Sequence, residues 1–281
     1  MRKFGKILLT SLLILAGFVA FGLLYSINPR IRHQIVYFDS LPSHLEGLRI
    51  LHISDLHSDN VEVMNINIWD LIDNLEFDIA VITGDIVLDG AWRRAEPILE
   101  LDPHKPYLRN LANRVPTFFV EGNHETAHLQ RFMGIMDELG ITFLYNQRHF
   151  LELPNRGILE IIGVQDYSSM RRSGFGAMET LFEEENAGFR LVLSHQPQIF
   201  DRIKHTGSMM VFAGHTHGGQ IRIPFVPTIY APGQGFFPAY GRGLYQYNDA
   251  HMYVSSGIGT TYFPWRFFNP PEVVIIELRH K

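Results

Sequence analysis

Five short apolar runs in this chain each stop at a carboxylate, carboxamide or imidazole side chain. Leu48 to Ser54 leads to Asp55 and His57, Ile79 to Thr83 to Gly84 and Asp85, and Thr117 to Val120 to Gly122, Asn123 and His124. Leu191 to Leu193 leads to His195, and Met209 to Phe212 to His215, Thr216 and His217. Near-continuous runs rich in Val, Ile, Leu and Phe read as strands covered on both faces. Helical patterns lie between several of them, among them Ile68 to Leu75 and Leu129 to Leu139. This alternation indicates an α/β arrangement, in which ligands bind beyond the carboxyl ends of the strands. Polar groups from five strand ends are therefore expected at one rim.

A single Asp or His after a strand is ordinarily a turn residue or a helix cap. Asp-x-His and Gly-Asp are weak signals alone, and Gly-Asn-His-Glu is intermediate. Gly-His-Thr-His-Gly-Gly is stronger, because two imidazoles so close together after a strand are hard to explain by packing. The weight lies in the ordered set. Together these fragments supply enough oxygen and nitrogen donors to hold two divalent cations side by side. Such a pair clamps a phosphate and makes hydroxide from water near neutral pH, so a hydrolase acting at phosphorus is expected.

On these motifs, from Arg49 to His217, the chain resembles the calcineurin-like metallophosphoesterases. The run from His215 through Gln220 to Pro224, with the later Phe267, Phe268, Asn269, Pro270, Pro271 and Glu272, is similar to the YkuE/YaeI subgroup of bacterial phosphodiesterases. The resemblance implies a four-layer αββα sandwich of two mixed β-sheets flanked by helices, in place of one doubly wound sheet. It implies one metal held by Asp55, His57, Asp85 and His217, and a second held by Asp85, Asn123, His195 and His215. The chemistry is consistent with Asp85 as the bridge: a carboxylate has two oxygens and joins two cations, whereas neutral imidazole does not. With no thiolate present, Mn, Fe and Zn all suit the site, and the resemblance favours Mn.

The resemblance further implies in-line attack on phosphorus by a water or hydroxide shared between the two metals. His124 would be the catalytic side chain that binds no metal, steadies the transition state and protonates the leaving group. Phosphodiester or pyrophosphate hydrolysis of a lipid-linked or cell-envelope substrate is the expected activity. A phosphomonoesterase and a non-catalytic metal-binding module are the alternatives. Many relatives carry an Asp shortly after Gly-Asp that orients this His. Here the next one, Asp89, falls one residue later than that spacing and is read as part of an Asp-Gly turn. Val120-Glu121 stands where protein phosphatases carry Arg, which disfavours a phosphoprotein substrate.

Ile7 to Ile27 contains no charged residue. At ~1.5 Å per residue a helix of this length crosses a ~30 Å hydrocarbon layer. Arg2, Lys3 and Lys6 precede it, and no Ala-x-Ala site closes it, so it is read as an uncleaved anchor and not a signal peptide. Residues 1–33 are thus expected to form a membrane anchor and residues 34–281 one catalytic domain. The slight excess of positive charge before the span favours an inside amino terminus and an extracytoplasmic catalytic domain. The formal net charge of −5 and the lack of a long basic run argue against nucleic acid as a partner. Between Phe225 and Phe268 the chain is crowded with aromatics. These either fill the core of a second sheet or form an apolar rim facing a bilayer or lipid-bearing substrate. Arg222, Arg242 and Arg266, and Arg171 with Arg172, are candidate phosphate contacts.

Overall fold

Strands, numbered along the chain, form two six-stranded mixed sheets in a computed structural model that describes residues 2–57, 68–88, 99–183, 188–261 and 265–281. The first sheet contains β1 (Arg30–Phe38), β14 (Glu272–His280), β2 (Arg49–Ile53), β3 (Ile79–Ile82), β4 (Thr117–Phe119) and β5 (Thr142–Phe143), in that order. From β2 to β5 neighbouring strands run parallel, β14 pairs antiparallel with β2, and β1 pairs parallel with β14. The second sheet contains β12 (Gly243–Tyr247), β13 (Ala250–Val254), β9 (Met209–Ala213), β8 (Arg190–Leu193), β7 (Gly157–Gly163) and β6 (Gln147–Leu153). Its inner strands are parallel, and its two edge pairs are antiparallel.

Strand parity explains why the apolar runs are continuous. Alternate residues of a strand point to opposite faces. Ile50, Ile79, Val81 and Phe118 meet Ile161, Leu191, Met210 and Phe212 in the core between the sheets. Their neighbours Leu51, Ile53, Ala80, Ile82 and Phe119 face outward into a second core, made with helices Ile68–Asp73, Lys105–Arg114 and Leu129–Leu139. On the far side, Ile162, Val192, Val211 and Met252 pack against Met170, Phe200 and Ile203. Both faces of both sheets are covered, which gives the expected αββα order and replaces the single doubly wound sheet.

The helix Leu129–Leu139 has the boundaries expected from the sequence, and it buries Phe132, Ile135, Met136 and Leu139 along one face. Four such side chains contribute roughly 6–12 kcal/mol of gross transfer free energy. The helix beginning at Ile68 ends at Asp73, two residues short of the expected Leu75. The last strand runs on to His280, its far end pairing with β1 as far as Phe38.

The amino-terminal helix Arg2–Tyr25 is exposed along most of its length. Its last two turns are docked. The Phe18 ring lies 5.7 Å from that of Phe267 and 5.1 Å from that of Phe268. The carbonyl of Gly22 accepts from the amide of Phe268 at 3.1 Å. A Cβ at position 22 would lie 2.2 Å from the Phe267 ring, so a larger residue there would displace that ring.

Candidate metal centre

Loops leaving β2, β3 and β4 of one sheet meet loops leaving β8 and β9 of the other. Backbone bonds tie them together: Asp55 N donates to Gly84 O, His57 N to Asp85 O, and Gly214 N to His195 O. Gly84 adopts φ +79°, and a Cβ there would lie 2.2 Å from Gly122 N, so the Asp85 and Asn123 loops touch through bare backbone. Asp55, His57, Asp85, His215 and His217 all have positive φ, between 43° and 68°. Such conformations are uncommon for residues with a Cβ and concentrate at functional sites. Here five of them aim side chains at one point.

Two clusters of side chains result. In one, His217 Nε2 lies 3.4 Å from Asp55 Oδ1 and 3.1 Å from His57 Nε2. In the other, His195 Nε2 lies 3.0 Å from Asp85 Oδ2 and 3.1 Å from His215 Nδ1. Asp85 Oδ2 is also 3.9 Å from His57 Nε2, so this carboxylate stands between the clusters. His124 Nε2 lies 3.8 Å from the same oxygen, and its amide donates to Asp85 Oδ1 at 3.1 Å. Asn123 lies between Gly122 and His124, both of which contact Asp85, and its Oδ1 is buried with no hydrogen-bond partner. The structure thus brings together the side chains of Asp55, His57, Asp85, His124, His195, His215 and His217.

The donor set fits cations. His57 Nδ1 faces Val87 O at 3.2 Å and His195 Nδ1 faces Thr83 O at 2.7 Å. These carbonyls accept a proton from Nδ1 and turn each Nε2 inward, as outer partners of metal-bound histidines do. Burial pushes His57 and His215 down to about 3, and His217 well below its ordinary value, so these rings are neutral donors. Burial alone would raise Asp85, but the imidazoles of His195 and His124 hold it well below the usual carboxylate range. Burial likewise opposes charge on His195, yet Asp85 raises it to about 10. Positive charge is favoured at this position. Imidazole nitrogens 3.1 Å apart, beside two carboxylates and an orphan amide oxygen, are an arrangement that two divalent cations complete.

Several supporting residues were not evident from the sequence. Ser54 Oγ donates to Asp55 Oδ2 at 2.6 Å, and receives from Thr83 Oγ1, which His52 Nε2 meets at 2.8 Å. Fully buried Glu125 accepts the amides of Asp85, Ile86 and Gly122 at 2.9, 3.0 and 2.7 Å. Glu125 completes the Gly-Asn-His-Glu motif, and that motif was its only sequence signal. Asn269 Nδ2 donates to His217 O at 2.6 Å.

The candidate arginines have internal partners. Arg222 donates to Gly218 O and Thr228 Oγ1, Arg242 pairs with Glu272 at 2.9 Å, and buried Arg266 donates to Gly259 O. Arg171 and Arg172 lie exposed on helix Tyr167–Ser173. Asp89 lies outside the described residues, as do Tyr262 and Phe263.

A sandwich of two mixed sheets flanked by helices, with carboxylate–imidazole clusters at its strand ends, defines the class of metal-dependent phosphoesterases. The chain belongs to the calcineurin-like phosphoesterase family, whose model matches residues 48–219. It is 32% identical over 279 residues to the uncharacterized metallophosphoesterase YkoQ of Bacillus subtilis, covering 96% of this chain and 99% of the relative. It is 28% identical over 252 residues to the phosphodiesterase YaeI of Escherichia coli, covering 88% and 87%. A Danio rerio transmembrane protein with a metallophosphoesterase domain is 27% identical over 286 residues, covering 96% of this chain and 62% of that one.

Proposed function

We propose that this chain is a membrane-anchored, dinuclear-metal-dependent hydrolase of phosphodiester or pyrophosphate bonds, acting on a lipid-linked or cell-envelope ester. The observation that carries the reading is the pair of adjoining donor clusters, with Asp85 reaching both. Asp55, His57, Asp85 and His217 would hold one cation, and Asp85, Asn123, His195 and His215 the other, with Mn preferred and Fe or Zn also suited. Two cations bound there would lower the pKa of a water and offset charge on the phosphoryl oxygens.

The chain's own residues have separate tasks. Asp55 is fixed by Ser54 and by the amide of His215, which donates to both its oxygens at 3.0 Å. His124 is only part-buried, beside Asp85 and beside the ring of His57 at 5.2 Å. In this reading it delivers a proton to the leaving oxygen. The phosphodiesterase name of the relative YaeI supports diester over monoester cleavage.

Residues 1–33 form the anchor in this reading, and residues 34–281 the catalytic domain on the extracytoplasmic side. Helix Lys3–Tyr25 is long and apolar enough to cross a membrane, and the fish relative is named a transmembrane protein. The test is hydrolysis of bis(p-nitrophenyl) phosphate by the full chain in detergent with Mn²⁺, against Asp85→Ala. Metal-dependent turnover that the variant lacks is expected. A folded, metal-loaded chain that cleaves no phosphate ester would leave a non-catalytic metal-binding module instead.

A further inference from the structure

The packing of the amino-terminal helix fixes the level of whatever touches it. Phe18 contacts Phe267 and Phe268, and Gly22 bonds to the amide of Phe268. At about 1.5 Å of rise per residue, Phe18 lies roughly 10 Å along the helix from Tyr25. If the helix spans a bilayer, as proposed above, loop residues 267–268 sit beside its last two turns and inside the hydrocarbon margin. The loop cannot remain in water while these contacts persist.

Two grooves lined largely by apolar side chains lead away from that contact. Tyr25 and Phe268 share a groove with Arg222, Ile223, Pro224 and Phe225. Ile221, Ile229 and Tyr230 line the next one, and the Tyr230 ring contacts Phe236 at 5.4 Å across the hairpin of β10 (Tyr230–Ala231) and β11 (Gly235–Phe236). Phe225 is fully exposed, and Phe236 and Trp265 are 74% and 62% exposed. From Ile223 to Gly241 the sequence has no charged residue. The one cation at its start, Arg222, turns inward to Gly218 and Thr228. The hairpin tip reaches the metal centre: a Cβ on Gly233 would lie 3.3 Å from His215 Nε2. At the other end, Asn269 joins the helix to the same centre through Ser26 Oγ and His217 O.

We infer that the loops carrying Ile223, Phe225, Trp265 and Phe268, together with the hairpin carrying Phe236, form a second membrane contact that holds the mouth of the metal centre against the lipid surface. The occupant is a bilayer because the patch continues a helix that is itself apolar and exposed, at the depth its own packing sets. The substrate class follows: a phosphate ester whose head group enters the centre while its acyl or prenyl chain stays among the lipids. This rests on the anchor reading above.

The chain contains no cysteine, so single cysteines can be spin-labelled without background. The variants are L13C in the helix, F225C and F236C on the patch, and F150C on the exposed edge strand β6 as a control. Each full chain is reconstituted in phosphatidylethanolamine–phosphatidylglycerol vesicles, and collisions with oxygen are compared with those of a water-soluble nickel chelate. Labels at 13, 225 and 236 are expected to be oxygen-accessible and nickel-shielded, several-fold apart from the label at 150. Labels at 225 and 236 that match 150, with 13 still in lipid, overturn the inference and leave the anchor standing. A nickel-accessible label at 13 overturns both. Labels at 225 and 236 shielded from both probes and broadened by coupling between chains would mark a second copy as the occupant, which also overturns it. Hydrolysis of bis(p-nitrophenyl) phosphate by each variant reports an intact centre and tests the catalytic reading independently of depth.

Discussion

The carboxylate of Glu125 accepts the amide of Asp85 at 2.9 Å, although the two residues lie forty positions apart. The same carboxylate takes the amides of Ile86, Val87 and Gly122. It therefore ties the Asp85 loop to the Asn123 loop through backbone amides. Glu125→Ala would remove the acceptor that the amides of Asp85, Ile86, Val87 and Gly122 share. A stability loss of about 3–4 kcal/mol is expected, with Glu125→Gln intermediate. Denaturant unfolding of the two variants measures it, and wild-type stability in Glu125→Ala would refute the role.

Removing candidate ligands should separate the two clusters. Asp85→Asn is expected to lose both cations, because this side chain stands between the groups. Asn123→Ala is expected to lose one. Elemental analysis of dialysed protein reads the stoichiometry directly. Full occupancy in Asp85→Asn would remove that residue from the bridging position.

His124 presents a different case, adjoining Asp85 but assigned a proton instead of a metal. His124→Ala should retain both cations while kcat for a diester falls about 10²–10⁴-fold. A substrate with a better leaving group should recover part of the loss, since it needs less protonation. Lost metal with an unchanged rate per loaded chain would contradict the assignment.

His52 should set part of the acid sensitivity. It is fully buried between the sheets, its Nδ1 has no hydrogen-bond partner, and burial lowers it to about 3. The unfolded chain accepts a proton near the ordinary value of 6.5, whereas the native chain refuses it. Above 6.5 both states are neutral there and nothing is lost. As pH falls from 6.5 toward 3, stability declines by up to about 1.4 kcal/mol per pH unit. His52→Gln retains a donor for Thr83 and removes the titration, so its melting temperature should fall less steeply between pH 7 and 4.5. An identical slope in both proteins would exclude His52 as the cause.

The strands and the donors at their ends were legible because burial on both faces leaves a continuous apolar run, and the polar residue that stops it is conspicuous. Helix Leu129–Leu139 was legible to the residue because Phe132, Ile135, Met136 and Leu139 recur on one face. The split into two sheets was not. A run such as Ile79–Ile82 reads the same in one open sheet or in a sandwich, and only resemblance distinguished them. Nor do Asp55 or His217 announce their left-handed backbone, since neither is glycine. Long-range supports were equally hidden: Asn269 meets Ser26, 243 positions away, through a single hydrogen bond. The aromatic stretch is split between core and surface. Tyr253 lies in the inter-sheet core, whereas Phe225 and Phe236 face outward.

The candidate donors are shared between two sheets, Asp55, Asp85 and Asn123 on one and His195, His215 and His217 on the other. Bound ions would therefore act as a clasp across the seam of the sandwich. The two sheets already share the apolar core between them, and the clasp would add to that coupling at the rim where the strands end. Chelation should then lower the midpoint of melting, because ions bound only by the folded chain stabilise it by mass action.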